Sequence, residues 1–336
     1  MQTARDIADM MAEHHVPGLS MAMVRGDEPP VCITFGVSDV RSGRPVDAAT
    51  VFEAASLSKP VAAFVAMTLV RDGVLSLDQP LARYAPQYME RILDAQAITA
   101  RHVLSHTSGL PNWRSDSYPL RVYYPPGDRF SYSGEGFVYL QRAIEQIRGD
   151  SFERIAEWLI FEPLGMRNTS FVWQDRFLPN HAVPHTASGN HFEDGFAGKR
   201  AVAANAAGSL YTTAQDYARF LQAVLQASSL QDWLVPHANV FRDQLTALDA
   251  TPEPARNPDV AWALGWGVEV ATPLFFHWGD QKGYKAFTIA SSETAKAMVI
   301  FTNGDAGLSF LSKLVAPIFP GRHSSLLWLG YETATD

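Results

Sequence analysis

The run Ser56-Leu57-Ser58-Lys59 puts a hydroxyl and an amine three positions apart at the start of the most apolar segment of the chain. In a helix that spacing places both groups on one face, one turn apart. A serine hydroxyl is a weak nucleophile until a neighbour takes its proton, and a lysine can take it only while neutral. Burial and the positive end of a helix both favour the neutral amine, and Val61, Ala62, Phe64, Val65 and Leu69 supply the burial. Pro60 is tolerated in a first helical turn. An isolated S-x-x-K arises about once by chance in a chain of this length. The motif therefore needs company before it means acyl transfer rather than a capped helix carrying a surface lysine.

The rest of the chain must supply the frame. Its 336 residues include 27 Lys and Arg against 35 Asp and Glu, a formal charge of −8, and 47% are hydrophobic. That is core-forming composition for one large domain or two coupled ones. The acidic balance argues against nucleic-acid binding and against anionic membranes, both of which need a concentrated positive field. No apolar run reaches the roughly 18 residues of a membrane helix. Arg5, Asp6, Asp9 and Glu13 interrupt the N-terminus where a signal peptide would be apolar, so a cytoplasmic location is expected if Met1 is the native start. The lone cysteine, Cys32, cannot form an internal disulfide and is expected as a small buried hydrophobe in a strand.

Two strands are expected near the N-terminus, Leu19 to Val24 and Val31 to Val37, after a short helix around Ile7 to His14. Four more are expected near the other end: Ala263 to Val270, Leu274 to Trp278, Tyr284 to Ser291 and Ala297 to Thr302, with a helix over Leu308 to Ile318. Short connections predict an antiparallel sheet, and the N-terminal pair needs that sheet as a partner. The middle reads as helices over Ser56 to Asp72, Thr99 to Ser105, Gly136 to Arg148, Ser151 to Ile160 and Thr213 to Ala227. Long loops separate them at Pro111 to Arg129 and Gln174 to Arg200, and loops of that length are often functional.

Several ordered segments keep Ser56 and Lys59 company: Val16-Pro17-Gly18-Leu19-Ser20, Phe52 to Lys59, Leu104-Ser105-His106-Thr107-Ser108-Gly109-Leu110-Pro111, Pro125-Pro126-Gly127 leading to Tyr132-Ser133, Ala206-Ala207-Gly208-Ser209-Leu210, Gly265-Trp266-Gly267 and His277-Trp278-Gly279. In this order they resemble the serine β-lactamase and penicillin-binding-protein family, most closely its class C and esterase-like branch, over nearly the whole chain. The resemblance implies an α/β (α+β) fold: an antiparallel sheet built from residues 1–75 and 201–336, flanked by N- and C-terminal helices, with a mostly helical unit at 76–200 and the active site between them. It implies an acyl-enzyme on Ser56, with Lys59 and Tyr132 managing protons. Tyr132-Ser133-Gly134 stands at the family's Y-x-N motif, so Ser133 and Gly134 are expected beside substrate. Gly134 departs from the asparagine that contacts a substrate amide. His277-Trp278-Gly279 stands where β-lactamases carry K-T-G, and a histidine there anchors a carboxylate less firmly. The oxyanion hole would be the backbone N–H groups of Ser56 and Asp280, next to Gly279, and His106 would be scaffolding.

The two departures favour a carboxylesterase on small or medium acyl esters, with β-lactam hydrolysis and D-amino-acid peptidase activity as alternatives. The expected partner is a small-molecule ester, amide or lactam. No cofactor is expected, and His181, His185 and His191 lack an H-E-x-x-H or C-x-x-C companion, so neither is a metal. An α/β-hydrolase would need a G-x-S-x-G elbow, which the chain lacks, and Ser115-Asp116-Ser117 is a poor substitute for the S-D-N of class A β-lactamases. A catalytically silent binding protein would show no turnover on any acyl substrate.

Overall fold

Strands from the two ends of the chain meet in one sheet. The computed structural model describes residues 4–249 and 254–332, so the outermost residues of the expected sheet unit lie outside them. Eleven strands are described, in chain order: β1 (Gly18–Arg25), β2 (Val31–Asp39), β3 (Arg44–Pro45), β4 (Phe52–Glu53), β5 (Tyr211–Thr212), β6 (Ala238–Phe241), β7 (Arg256–Trp262), β8 (Gly267–Glu269), β9 (Leu274–Gln281), β10 (Tyr284–Ser291) and β11 (Lys296–Thr302). Nine of them form an antiparallel sheet in the order β3-β2-β1-β11-β10-β9-β8-β7-β6. The join between the ends is β1 on β11, with Leu19 opposite Thr302 and Arg25 opposite Lys296.

Both faces of the sheet are covered. Along β11, Ala297, Val299 and Phe301 pack into one core while Met298 and Ile300 pack into the other, as the two-residue period of a strand requires. On the second side lie the helices α1 (Ala4–Glu13), α8 (Leu311–Val315) and α9 (Ser324–Leu329). On the first side lie α2 (Ser58–Arg71), α4 (Gly134–Arg148), α5 (Phe152–Ala156) and α6 (Ala214–Leu225), with the shorter α3 (Ala100–Leu104) and α7 (Leu230–Trp233). Because β10 and β11 are buried on both faces, they read as nearly unbroken apolar runs. The helix α2 is buried around almost its whole circumference, which is why its apolar residues show no stripe. Among the described residues no helix is long and apolar enough to cross a membrane.

Several boundaries differ from the sequence reading. The run Ala263 to Val270 is not one strand: Gly265 turns the chain at φ +86°, and only Gly267–Glu269 pairs. A Cβ on Gly265 would lie 2.3 Å from that of Ala63, so this turn lets the sheet edge close onto α2. The strands β6 and β7 escape the sequence because their pairing is irregular. Asn239 faces Ala261 but Phe241 already faces Arg256, a bulge that accommodates Pro258. The expected helix over Leu308 to Ile318 shrinks to α8 flanked by turns. Cys32 is half-buried rather than buried, with its thiol 3.8 Å from the Ser20 hydroxyl.

Candidate active site

Ser56 stands not on α2 itself but in the single 3-10 turn Ala55–Leu57 that precedes it. The turn is entered through Ala55 at φ +47°, a left-handed conformation that costs a non-glycine residue about 1–2 kcal/mol and persists only where neighbours enforce it. The neighbours are identifiable. Ser58 Oγ donates to the Ala55 carbonyl at 2.6 Å and accepts the Leu210 N–H at 3.0 Å. The Ala54 N–H donates to the Leu210 carbonyl, and the Tyr217 hydroxyl donates to that of Leu57. On the sheet side β9 presses against the turn at Gly279, where a Cβ would lie 2.3 Å from the Ala54 carbonyl oxygen.

Lys59 is fully buried, and its Nζ donates to Ser56 Oγ at 3.0 Å and to the Ala207 carbonyl at 2.8 Å. Among the described residues no carboxylate pairs with it. Burial without a counter-charge lowers its pKa to about 7. The Ala206-Ala207 segment that receives the amine is itself held by α4, since Gln141 accepts the Ala206 N–H and donates to the Ala204 carbonyl.

Tyr132 closes the other side, its ring 4.7 Å from Lys59 Nζ. Its hydroxyl is buried without a completed hydrogen bond, close enough to Ser56 to feel it; burial, the larger influence, raises the phenol well above its usual range. His106 positions this tyrosine from both flanks. Its carbonyl accepts the Ser131 N–H at 2.8 Å, its Nδ1 accepts the Ser133 N–H at 3.0 Å, and its ring lies 4.2 Å from that of Tyr132. Since Nδ1 accepts, the neutral ring carries its proton on Nε2.

His277 on β9 is fully buried against Tyr132, Trp262 and Trp278. Its Nδ1 donates to the Trp278 carbonyl at 2.8 Å, which leaves the Nε2 lone pair facing the interior without a partner. Burial first, and then the Lys59 charge, push its pKa down to about 3. The partly charged anchor expected of His277 is thus corrected: at neutral pH the ring is uncharged.

Ser133 and Gly134 also part from the expected role beside substrate. Ser133 is buried as the N-cap of α4, accepting the Gly136 N–H at 3.0 Å and donating to the Pro111 carbonyl at 2.9 Å. Gly134 donates to both oxygens of Asn112, and a Cβ there would lie 2.8 Å from the Asn112 carbonyl and 2.8 Å from the Trp113 ring. The space into which a larger residue at 134 would project is filled by Trp113. No spacing rule could have revealed this exchange, because 113 and 134 meet only through the loop.

A cleft of about 610 Å³ opens over Ser56, within the size range of small-molecule sites. Trp113 forms one wall, Gly208 to Tyr211 another, and Asp280, Gln281 and the exposed Lys199 complete the rim. Ser56 and Asp280 thus face the same space, the juxtaposition that two oxyanion donors would need. Asp280 is ion-paired outward to Lys285 at 2.9 Å. Glu53, whose place next to the nucleophile segment allows it to tune charge at the site, lines the cleft: it accepts the Lys199 N–H at 2.5 Å and a hydrogen bond from Gln281, and burial raises its pKa to about 7. A separate cleft of about 410 Å³ lies beside the Asp216–Arg219 pair, away from any of these groups.

The antiparallel sheet between helical layers thus sets a serine, in the turn that opens α2, beside the buried lysine of that helix, the pairing that a serine acyl-transfer site requires. The profile of the Beta-lactamase family matches residues 3–314, and the chain belongs to that family, one of serine hydrolases. Penicillin-binding protein 4* of Bacillus subtilis is 32% identical over 179 residues, covering 46% of this chain and 38% of its own length. Esterase EstB of Burkholderia gladioli is 30% identical over 167 residues, covering 41% and 42%. The chain thus spans about two fifths of the length of these two relatives. Penicillin-binding protein 4 of Amycolatopsis lactamdurans is 27% identical over 336 residues, covering 91% and 85%. The β-lactamase/D-alanine carboxypeptidase of Pseudomonas syringae shares the fold at a TM-score of 0.76 with 18% identity, covering 94% of this chain and 96% of that one.

Proposed function

We propose that this chain is a carboxylesterase for small or medium acyl esters, working through an acyl-enzyme on Ser56. The observation that carries the reading is the 3.0 Å hydrogen bond between Ser56 and a buried, unpaired lysine whose pKa lies near 7. Such an amine is substantially neutral at physiological pH and in contact with the hydroxyl whose proton it must accept.

In this mechanism Ser56 Oγ attacks the ester carbonyl while its proton passes to Lys59 Nζ. The carbonyl oxygen becomes an oxyanion held by the Ser56 and Asp280 N–H groups, a contribution of about 3 kcal/mol per donor. Collapse breaks the bond to the alcohol, whose oxygen takes up a proton relayed from Lys59 through Tyr132. Water then repeats the sequence on the acyl-enzyme and releases the acid. Tyr132 serves as a hydroxyl relay and not as a resting phenolate, because burial holds its proton on.

Ester specificity is supported by what surrounds the nucleophile. Gly134 offers no side chain for a substrate amide, Trp113 replaces it with an apolar wall, and neutral His277 offers no charge to a lactam or peptide carboxylate. One feature favours a D-amino-acid peptidase as the second reading: Lys199 on the rim could pair with a terminal carboxylate.

The test is parallel hydrolysis of nitrophenyl esters, a chromogenic cephalosporin and a D-alanine anilide, with fluorophosphonate labelling followed by intact mass. Turnover is expected on esters foremost, and labelling is expected to vanish in Ser56→Ala. Equal labelling of that variant would overturn the nucleophile, and preferred anilide hydrolysis would favour the peptidase.

A further inference from the structure

We propose that Asp39, His185 and His191 form a binding site for a zinc-class divalent cation, separate from the Ser56 cleft. Asp39 ends β2, whereas the histidines lie in the long loop between α5 and β5, so tertiary folding alone brings them together. One ligand atom from each lies within 4.8 Å of the others. His191 Nε2 is 2.7 Å from Asp39 Oδ1, and the rings of His185 and His191 are 5.0 Å apart. Asp39 Oδ1 also accepts the Arg41 N–H at 2.9 Å, and among the described residues no lysine or arginine side chain is ion-paired with this carboxylate.

The geometry of His185 is the second, independent observation. It is fully buried, and its Nδ1 donates to the Asn303 carbonyl at 2.9 Å. The same carbonyl accepts the His185 N–H at 2.9 Å, and the His185 carbonyl accepts the Asp305 N–H at 3.1 Å, so ring and backbone are both fastened. The proton is thereby held on Nδ1, and the Nε2 lone pair is engaged only by a long hydrogen bond from the Val40 N–H at 3.4 Å, which a metal ion would replace. An imidazole oriented by a carbonyl behind it is the outer-shell arrangement of metal-binding histidines.

Two imidazoles and one carboxylate suit zinc, whereas calcium and magnesium prefer all-oxygen sites. A tetrahedral ion with bonds of about 2.0–2.2 Å separates its ligand atoms by roughly 3.4 Å. That lies between the 2.7 Å contact and the 4.8 Å limit found here, so small side-chain rotations complete the set. Three protein ligands leave a fourth position for water. None of the three residues lines the Ser56 cleft, and the role is that of a clamp. It would tie the loop to the sheet at His185 and His191, upstream of the point where Lys199 bonds to Glu53 in the cleft lining.

The experiment is a titration of the chelator-treated full chain with Zn2+ alone, read by calorimetry and by thermal melting. One Zn2+ per chain at micromolar Kd or tighter, with a rise in Tm, is expected. The partly exposed positions are varied, His191→Gln and Asp39→Asn, each expected to weaken binding at least tenfold and to remove the Tm rise. Co2+ is expected to give the visible absorption of a low-coordinate nitrogen and oxygen site in wild type but not in His191→Gln. No saturable Zn2+ binding, equal binding by both variants, or equal preference for Ca2+ would overturn the site.

Discussion

Lys59 must lose its proton before it can take one from Ser56, so acyl transfer in the proposed mechanism should fail in acid. With the amine titrating at about 7, kcat/KM for a nitrophenyl ester is expected to fall tenfold per pH unit below that point. A pH profile flat down to pH 5 would remove Lys59 from the role of base. The neighbouring Glu53 also titrates near 7, so the same profile is taken on Glu53→Gln. The acid limb is expected to remain, because Glu53 has no hydrogen bond to Ser56 and acts on the rim through Lys199 and Gln281. His277 and Tyr132 cannot produce that limb, since burial drives the first to about 3 and the second far above neutrality.

The strand β9 and the turn bearing Ser56 touch through a glycine. At Gly279 a methyl group would meet the Ala54 carbonyl oxygen at 2.3 Å and the Ala286 side chain at 3.3 Å, both on elements with no room to retreat. Gly279→Ala is therefore expected to lower kcat by tenfold or more while costing about 1–3 kcal/mol of stability, as overpacking does. Ester kinetics and denaturant unfolding check both; unchanged kcat would mean that the strand does not set the nucleophile's position. The same close approach explains why the W-G pair could be matched to a family pattern while its reason stayed hidden. A glycine in sequence does not say which backbone it lets in.

For the molecule as a whole, the site imposes a pH-dependent cost on folding. Glu53 has a raised pKa, about 7 against 4.5, so between those values the folded chain binds the extra proton and stability falls as pH rises. Lys59 has a lowered pKa, about 7 against 10.5, so between 7 and 10.5 the unfolded chain binds the extra proton and stability rises with pH. The two burdens overlap near pH 7. Relative to wild type, Glu53→Gln is expected to gain roughly 3 kcal/mol between pH 4.5 and 7, and the advantage of Lys59→Met is expected to shrink from pH 7 to 10.5. Unfolding free energies measured across pH check both slopes; parallel curves for wild type and variant would show that the burial cost is absent.

The sequence alone determined the antiparallel sheet from the two chain ends, the helices between, and the pairing of Ser56 with Lys59. Those follow from local periodicity and from an i, i+3 spacing that survives even though Ser56 lies in a 3-10 turn. The match of Tyr132 and His277 to family motifs located them, but their electrostatics were illegible, because a pKa depends on burial and neighbours that periodicity does not encode. Tertiary structure decided the rest. It set His277 neutral, turned Ser133 inward, seated Trp113 over Gly134, placed Glu53 in the cleft lining and gathered Asp39 with two histidines of a distant loop. Each of these is a contact between residues far apart in the chain, and such contacts exist only once the core has closed.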